Sequence, residues 1–265
     1  MGVKYMKIGE IISDAIMYPL TDWRTFLLLG LIIVFSSLYS FTGKLASYGF
    51  IIILLIILAF VLTLVKMGYQ LRVMESTTQG NNILPGINRW KGLMVDGLRV
   101  LIVGIVYALP LIVIIVPLII ITAITSIGSG TSPAASSMLR SLGIVLVISG
   151  LYLLIIYPIF FMSLANMANN ERDIGAAFKF SEIKNIISNI GIGKLIVWYI
   201  VTGLIYVIIL IIHSALPVIF NIIHIKVLGS IIAALLISPF ALLFLYRSVA
   251  LIYLDGVNDA EMDET

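Results

Sequence analysis

Cysteine is absent from the 265-residue sequence, and only 11% of its residues are charged. Without cysteine the chain has no disulfide, no thiolate metal site and no cysteine nucleophile. A soluble domain has about a quarter of its residues charged, whereas 61% of this chain is hydrophobic, which is typical of a membrane protein. A chain of this length has room for roughly six spans of about 20 residues.

Acidic residues are also missing from every apolar segment long enough to span a membrane. Proton-coupled transport and aspartyl intramembrane proteolysis usually require an acid there. The sequence has no His-Glu-x-x-His motif, no phosphate-binding glycine loop and no Gly-x-Ser-x-Gly motif. The two histidines lack further ligands for a metal site. We therefore expect a protein that is not an enzyme, has no cofactor and binds no nucleic acid.

Six long apolar segments are present, and each is predicted to be a transmembrane helix. The segment 213–226 is also apolar, but Pro217 and Asn221 interrupt it, so an interfacial or re-entrant piece is predicted there. Small residues predict a loop over 126–141. The predicted spans cover approximately residues 26–41, 48–67, 100–124, 142–167, 195–212 and 227–253.

A polar approach with an amphipathic stripe precedes each pair of spans. The spacing of Ile8, Ile11, Ile12, Ala15 and Ile16 places them on one face of a helix, as does that of Ile183, Ile186, Ile187 and Ile190. A third short helix is predicted over 87–98, after Leu84-Pro85-Gly86. The predicted fold is all-α: a single polytopic membrane domain of six transmembrane helices in three hairpins, each preceded by a cytoplasmic amphipathic helix. The pseudo-repeats cover about 1–67, 68–167 and 168–265, and an acidic, disordered tail is predicted over 255–265.

Basic residues are distributed unequally between the two sides of this arrangement. If the six spans alternate in direction, 13 of the 16 Lys and Arg residues fall on one side of the membrane. Because cytoplasmic loops carry an excess of Lys and Arg, the N-terminus, the C-terminus and both long connections are predicted to be cytoplasmic. The expected location is the cell membrane.

The stretch from Gly68 to Pro110 carries a resemblance to a known family. Its residues include Gly68-Tyr69-x-Leu71-Arg72, Gly80, Leu84-Pro85, Trp90, Val95-Asp96-Gly97-Leu98 and Tyr107-x-x-Pro110. This pattern resembles domain-of-unknown-function family 4013, which consists of archaeal and bacterial membrane proteins. An acidic residue usually precedes the tryptophan in that family, whereas Arg89 precedes it here. The resemblance supports the membrane fold and implies no activity.

Polar residues on the predicted cytoplasmic side are the first candidate site. Basic residues beside spans attract anionic lipid by ~1 kcal/mol each, so this group could bind a lipid head group or a protein partner. Alternatively, the charged residues form local salt bridges and set the topology, and the tryptophan anchors the chain at head-group depth. The candidates are Arg72, Glu75, Trp90, Asp96, Arg99 and Arg172.

Prolines and tyrosines within the spans are the second candidate group. They could line a cavity opened by kinked helices, or they could be plain kinks whose backbone groups are satisfied by neighbouring helices. These residues are Tyr107, Pro110, Pro117, Tyr157, Pro158 and Pro239. Close helix contacts are expected at the small residues Gly104, Gly150, Ser163 and Gly203.

The favoured function is a non-enzymatic membrane component that binds lipid, a protein partner or a second copy of the chain at its cytoplasmic face. The alternative is a transporter-like component for an uncharged or amphipathic solute. A transporter predicts a cavity with polar groups at mid-depth near the prolines, and a scaffold predicts a filled interior. An enzyme predicts convergent titratable groups, drawn from Arg72, Glu75, Asp96 and Asp173.

Overall fold

Helices account for all the regular secondary structure in the described part of the chain. The computed structural model describes residues 6–37, 49–128 and 135–263. It divides into two compact units: Met1–Leu101 with Met162–Thr265, and Ile102–Phe161. The helices are α1 (Ile8–Met17), α2 (Trp23–Ser36), α3 (Gly49–Thr78), α4 (Trp90–Gly128), α5 (Ala135–Asn169), α6 (Phe180–Ile190), α7 (Ile192–Ile222), α8 (Lys226–Ile232) and α9 (Ser238–Asp263). Short 3₁₀ turns cover Tyr18–Leu20 and Ile174–Phe178, and a π turn covers Ala233–Ile237.

The membrane character predicted from composition is confirmed by long apolar helices. Five helices of the described residues are long and apolar enough to cross a membrane. A sixth span would be formed by Ile8–Leu20 and Trp23–Ser36, which meet at an 82° bend. Large hydrophobic side chains such as Phe50, Leu146 and Ile222 are exposed, as expected for surfaces that face lipid. The exact number of six spans stays a prediction, because residues 38–48 lie outside the described part.

Four predicted boundaries differ from those in the structure. The short helix predicted over 87–98 is not separate: α4 begins at Trp90 and continues through the span to Gly128. The interruption predicted at 213–226 is wrong over 213–222, since α7 continues past Pro217 to Ile222. Prolines are tolerated in spans when neighbouring groups satisfy the backbone, so Pro217 alone does not end the helix.

The other two differences concern the predicted loop and tail. Helix covers 126–128 and 135–141 of the predicted loop, and residues 129–134 lie outside the described part. The tail predicted to be disordered from Asp255 instead continues α9 to Asp263. Asp255 is 4% exposed, accepts a bond from the ammonium of Lys194, and accepts a 2.9 Å bond from the backbone N–H of Met6. These contacts hold the start of a segment whose acidic composition alone favoured disorder.

The apolar stripes of α1 and α6 pack against protein. Ile12 and Ala15 of α1 form a buried cluster with Ile209 of α7 and with Ala241 and Phe244 of α9. On α6, the residues Ile183, Ile186 and Ile190 are buried. Added at Gly256 of α9, a Cβ would lie 2.6 Å from a side-chain carbon of Ile190, so α6 and α9 are in close contact. The stripes thus attach these short helices to the long ones.

A close helix crossing between α3 and α4 depends on two glycines. A Cβ added at Gly68 would lie 1.9 Å from the carbonyl oxygen of Leu93, and one added at Gly97 would lie 1.9 Å from that of Leu64. Because Leu64, the earlier residue of α3, meets Gly97, the later residue of α4, while Gly68 meets Leu93, the two helices are antiparallel at the crossing. The contacts predicted at Gly104, Gly150 and Gly203 are wrong: among the described residues, nothing lies within 4 Å of a Cβ added there. Ser163 is fully buried.

The π turn before α9 is explained by Pro239. Proline has no N–H, so it cannot donate to the carbonyl of Leu235 four residues earlier, and helices commonly respond with a local change of winding. The backbone N–H of Ser238 instead bonds the carbonyl of Ala233, five residues back. Gly30 of α2 approaches so closely that an added Cβ would lie 2.1 Å from the Leu235 carbonyl oxygen. α2 therefore packs directly on the irregular turn.

Candidate functional site

Four of the residues nominated from sequence come together in one ion-paired group, the Arg172 cluster (Glu75, Asp96, Arg99 and Arg172). Arg172 bonds Glu75 through two nitrogens, at 2.9 Å each, and donates to Asp96 at 2.8 Å. Arg99 donates to the other oxygen of Asp96 at 2.9 Å. Glu75 lies near the end of α3, Asp96 and Arg99 in the early turns of α4, and Arg172 just after α5. The cluster therefore joins three separate parts of the first unit.

The cluster contains two positive and two negative charges. The side chain of Asp96 is 2% exposed and that of Glu75 is 15% exposed, so both carboxylates are largely removed from solvent. Burial lowers the pKa of the Arg172 guanidinium, but hydrogen bonds to Glu75 and Asp96 outweigh it and hold that pKa above its ordinary value. A buried carboxylate is stable only when it is paired, and Arg172 supplies the bidentate partner that this requires. The ion pairs of the cluster therefore hold α3, the start of α4 and the turn after α5 together.

The backbone that presents Arg172 is unusual. Glu171 and Arg172 have φ values of 50° and 61°, which are left-handed for residues with a side chain. Such conformations cost of order 1–3 kcal/mol each and persist only when surrounding contacts impose them. Asn166, near the end of α5, donates to the carbonyl of Ala176 at 3.0 Å and accepts from the Tyr253 hydroxyl at 2.7 Å. These bonds fix both sides of the turn.

Arg72 and Trp90 are not members of these ion pairs, although Arg72 is close enough to interact electrostatically with Arg172, Asp96 and Glu75. Arg72 donates to the carbonyls of Gly86 and Asn88 at 3.2 and 2.9 Å and to the Asn88 side chain at 3.0 Å. Tyr69 adds a 3.0 Å bond to the carbonyl of Pro85. Both side chains of α3 thus hold the loop that leads into α4. Trp90 begins α4 with 49% of its surface exposed.

Sequence reasoning missed the most buried cation. The side chain of Arg247 in α9 is only 3% exposed, and it bonds Asp14 of α1 at 2.7 and 3.3 Å. It also donates to the hydroxyl of Thr77, the carbonyl of Asn81 and the side chain of Asn82, at 3.2, 2.7 and 2.7 Å. We call these five residues the Arg247 site. In the sequence, the available indication of this ion pair was one isolated acid, Asp14, on α1 and one isolated cation, Arg247, on α9.

The proline and tyrosine candidates are found inside long helices. Pro110 and Pro117 lie inside α4, and Pro158 lies inside α5, without ending either helix. Within the second unit, the Tyr107 ring contacts Phe160 edge-on at 5.7 Å, and the Tyr157 ring stacks on Phe161 at 5.8 Å. Tyr107 and Tyr157 therefore make aromatic packing contacts. Of the six candidates, Pro239 alone is next to residues that line the cavity described below.

A cavity of about 280 Å³ lies within the first unit, beside the π turn. The polar side chains that line it include Lys66 and Gln70 from α3, Tyr206 and His213 from α7, and Tyr246 from α9. Ile237 and Ser238 line it where the π turn joins α9. The sequence predicts Lys66 at the end of the span 48–67 and His213 in the interfacial or re-entrant piece 213–226, so it does not bring the two together. No group of three metal-binding side chains was found among the described residues.

The comparisons with known proteins give one match. A family model described as protein of unknown function (DUF4013) matches residues 51–218. Neither the curated proteins nor the solved structures provide a match. The matched range contains the α3–α4 crossing, the Arg172 cluster and six of the residues that line the cavity, whereas Asp14 and Arg247 lie outside it.

Proposed function

Since the chain belongs to the DUF4013 family, which has no assigned function, we propose its role from the geometry: it is a non-enzymatic membrane protein that binds anionic lipid. The binding surface lies on the cytoplasmic side, and both chain ends are cytoplasmic. The orientation is supported by the excess of Lys and Arg predicted on that side. The cell membrane is the expected location.

One observation carries this proposal: near the start of α4 the acidic side chains are held in ion pairs, whereas basic side chains are exposed. Glu75 and Asp96 are withdrawn into the Arg172 cluster, where their charge is neutralised. By contrast, Arg89 and Lys91 are exposed on either side of the exposed Trp90. The surface that remains is cationic and carries an interfacial aromatic residue, a combination that suits anionic head groups.

The start of α2 repeats this combination. Trp23 is 54% exposed, and the neighbouring Arg24 is exposed as well. Asp22, the one acid beside them, caps α2 by accepting from the backbone N–H groups of Arg24 and Thr25 at 3.0 and 3.4 Å. A hydrogen bond from the Thr25 hydroxyl is the main cause that holds the pKa of Asp22 below its ordinary value. We call Trp23, Arg24, Arg89, Trp90 and Lys91 the cationic surface.

The bonding of the titratable candidates favours a non-enzymatic role. Arg72 is bonded to backbone carbonyls, and Glu75 and Asp96 are paired with Arg172. Asp173 caps the 3₁₀ turn by accepting from the backbone N–H of Gly175 at 3.2 Å. Each group has a structural partner, and the four do not converge on a cavity as a general acid or base would have to.

Removing charge from the cationic surface is expected to weaken lipid binding. Each exposed basic residue contributes ~1 kcal/mol to attraction for anionic lipid, so Arg24→Gln, Arg89→Gln and Lys91→Gln should each weaken it by roughly fivefold. Native mass spectrometry of the detergent-purified protein, titrated with phosphatidylglycerol and with phosphatidylcholine, measures this. The triple variant should lose its preference for phosphatidylglycerol, and higher salt should reduce the preference of the wild type.

Lys226→Gln is the matched control, because it removes one exposed charge at the start of α8, on the side predicted to face outward. It should change phosphatidylglycerol binding by less than a factor of about two. The proposal fails if the triple variant keeps the wild-type preference. A protein or a second copy of the chain that co-purifies with the wild type and is lost from the triple variant would instead assign the surface to protein binding.

A transporter-like role for an amphipathic solute is the second candidate. The cavity beside the π turn favours it, because polar side chains from α3 and α7 meet there between apolar walls. Uptake of a labelled amphiphile into proteoliposomes tests it: protein-dependent flux that Lys66→Met abolishes would support transport, and equal flux in protein-free vesicles would exclude it.

A further inference from the structure

Three polar residues of the cavity have unused hydrogen-bonding capacity. In the part of the chain that the structure describes, the side chains of Lys66, Gln70 and His213 make no hydrogen bond or ion pair with protein. No carboxylate lines the cavity, so the ammonium of Lys66 has no counter-ion there. A charge at the edge of an apolar region without a partner is unfavourable, and an anion that enters the cavity would offset that cost.

The direction of the helices brings these groups together. Cα–Cβ bonds tilt toward the N-terminus of a helix, so Lys66 and Gln70 lean away from the polar end of α3 that holds Glu75. Lys66 lies well inside α3, nine residues before Glu75, which corresponds to roughly 13 Å along the axis. The cation is therefore presented to the apolar depth of the first unit rather than to the Arg172 cluster.

The remaining lining is mostly apolar. Ile33 comes from α2, Ile209 and Leu210 come from α7, and Ala241 and Leu242 come from α9. Where α9 begins, the π turn displaces the backbone by one residue, and π turns occur frequently at binding sites. Hydrogen-bond donors beside an apolar wall match a molecule that has a negatively charged head group and an aliphatic chain.

We propose that this cavity binds the carboxylate of a single-chain aliphatic acid. Lys66 pairs with the carboxylate, Gln70 and His213 donate N–H groups to its oxygens, and the first part of the chain lies along the apolar wall. One cation matches one negative charge. A volume of about 280 Å³ is near the lower end of small-molecule pockets, which span about 300–1,000 Å³, so it suits a head group with part of one chain. This site is separate from the cationic surface and does not depend on it.

The test uses stearic acid with a nitroxide on its chain, added to the full-length protein in phosphatidylcholine vesicles. Electron paramagnetic resonance gives the fraction of label immobilised by the protein, and thus an association constant relative to phosphatidylcholine. Lys66→Met keeps the side-chain length and removes the charge. It should lower this constant on the order of tenfold, because a charge-assisted hydrogen bond is lost. The methyl ester of the same probe should associate equally with both proteins.

Controls separate this site from other sources of binding. Lys226→Met removes an exposed lysine that does not line the cavity, and it should leave the association constant unchanged. Ala241→Leu narrows the cavity without changing charge and should also weaken binding. The triple variant of the cationic surface should still immobilise the acid.

Three results would overturn the proposal. The acid could associate with Lys66→Met as it does with wild type, or the triple variant rather than Lys66→Met could lose the acid. Displacement of the probe by inorganic phosphate at millimolar concentration would assign the cavity to a free anion instead of an amphiphile.

Discussion

Replacing Gly97 with alanine is expected to destabilise the protein at the upper end of the roughly 1–3 kcal/mol that overpacking usually costs, or beyond it. The new Cβ would lie 1.9 Å from the carbonyl oxygen of Leu64, which is backbone and cannot rotate away. α3 and α4 would have to separate, and the neighbouring contacts of Tyr69 and Leu93 would loosen. Thermal unfolding in detergent, followed by circular dichroism, measures the effect.

Gly104→Ala is the matched control, since it makes the same substitution seven residues later in the same helix. Nothing among the described residues lies within 4 Å of the added Cβ, and alanine is favoured over glycine in a helix by about 1 kcal/mol. This variant should be unchanged or slightly more stable. Gly68→Ala disrupts the same crossing as Gly97→Ala, so the double variant should cost less than the sum of the single ones. Equal stability of Gly97→Ala and Gly104→Ala would refute the described crossing.

Replacing Arg247 with methionine is expected to cost about 3 kcal/mol, the lower end of the effect of removing one partner from a buried ion pair. The lower end applies because the Asp14 side chain is 37% exposed and can regain water. The carbonyl of Asn81 and the side chain of Asn82 would lose their donors too. Chemical unfolding in mixed micelles gives the change in free energy.

Two further variants show whether the loss comes from this network. Arg24→Met removes an exposed arginine and should stay within about 0.5 kcal/mol of wild type. Arg247→Lys keeps the charge but cannot reach all the acceptors that the guanidinium bonds, so its stability should be intermediate. If Arg247→Met and Arg24→Met unfold alike, the Arg247 site does not stabilise the protein.

Composition and hydropathy predicted the membrane character and the approximate location of the long helices, because both follow from local properties of the chain. Proline was a less reliable guide. Pro217 predicted an interruption that α7 does not have, whereas Pro239 does coincide with a change of winding. The difference depends on which neighbours can satisfy the backbone, and a single sequence does not contain that information.

The candidate site was predicted in part. Four charged residues nominated from the sequence do meet, but Arg172 is 97 residues from Glu75 and 76 from Asp96, so spacing could not pair them. The i, i+3 pair of Asp96 and Arg99 was within reach of helical spacing. The cavity escaped prediction because Lys66, Gln70 and His213 converge only through the packing of both α3 and α7 against α9.

The bond between Arg247 and Asp14 has a consequence for how the molecule is made. Its partners are separated by 233 residues, nearly the length of the chain. At translation rates of about 5–20 residues per second, the ribosome reaches the arginine roughly 10–50 s after the aspartate. Throughout that interval Asp14 of α1 lacks its arginine partner, whether or not α1 has already been inserted. The bond between α1 and α9 therefore forms only after the ribosome has passed Arg247.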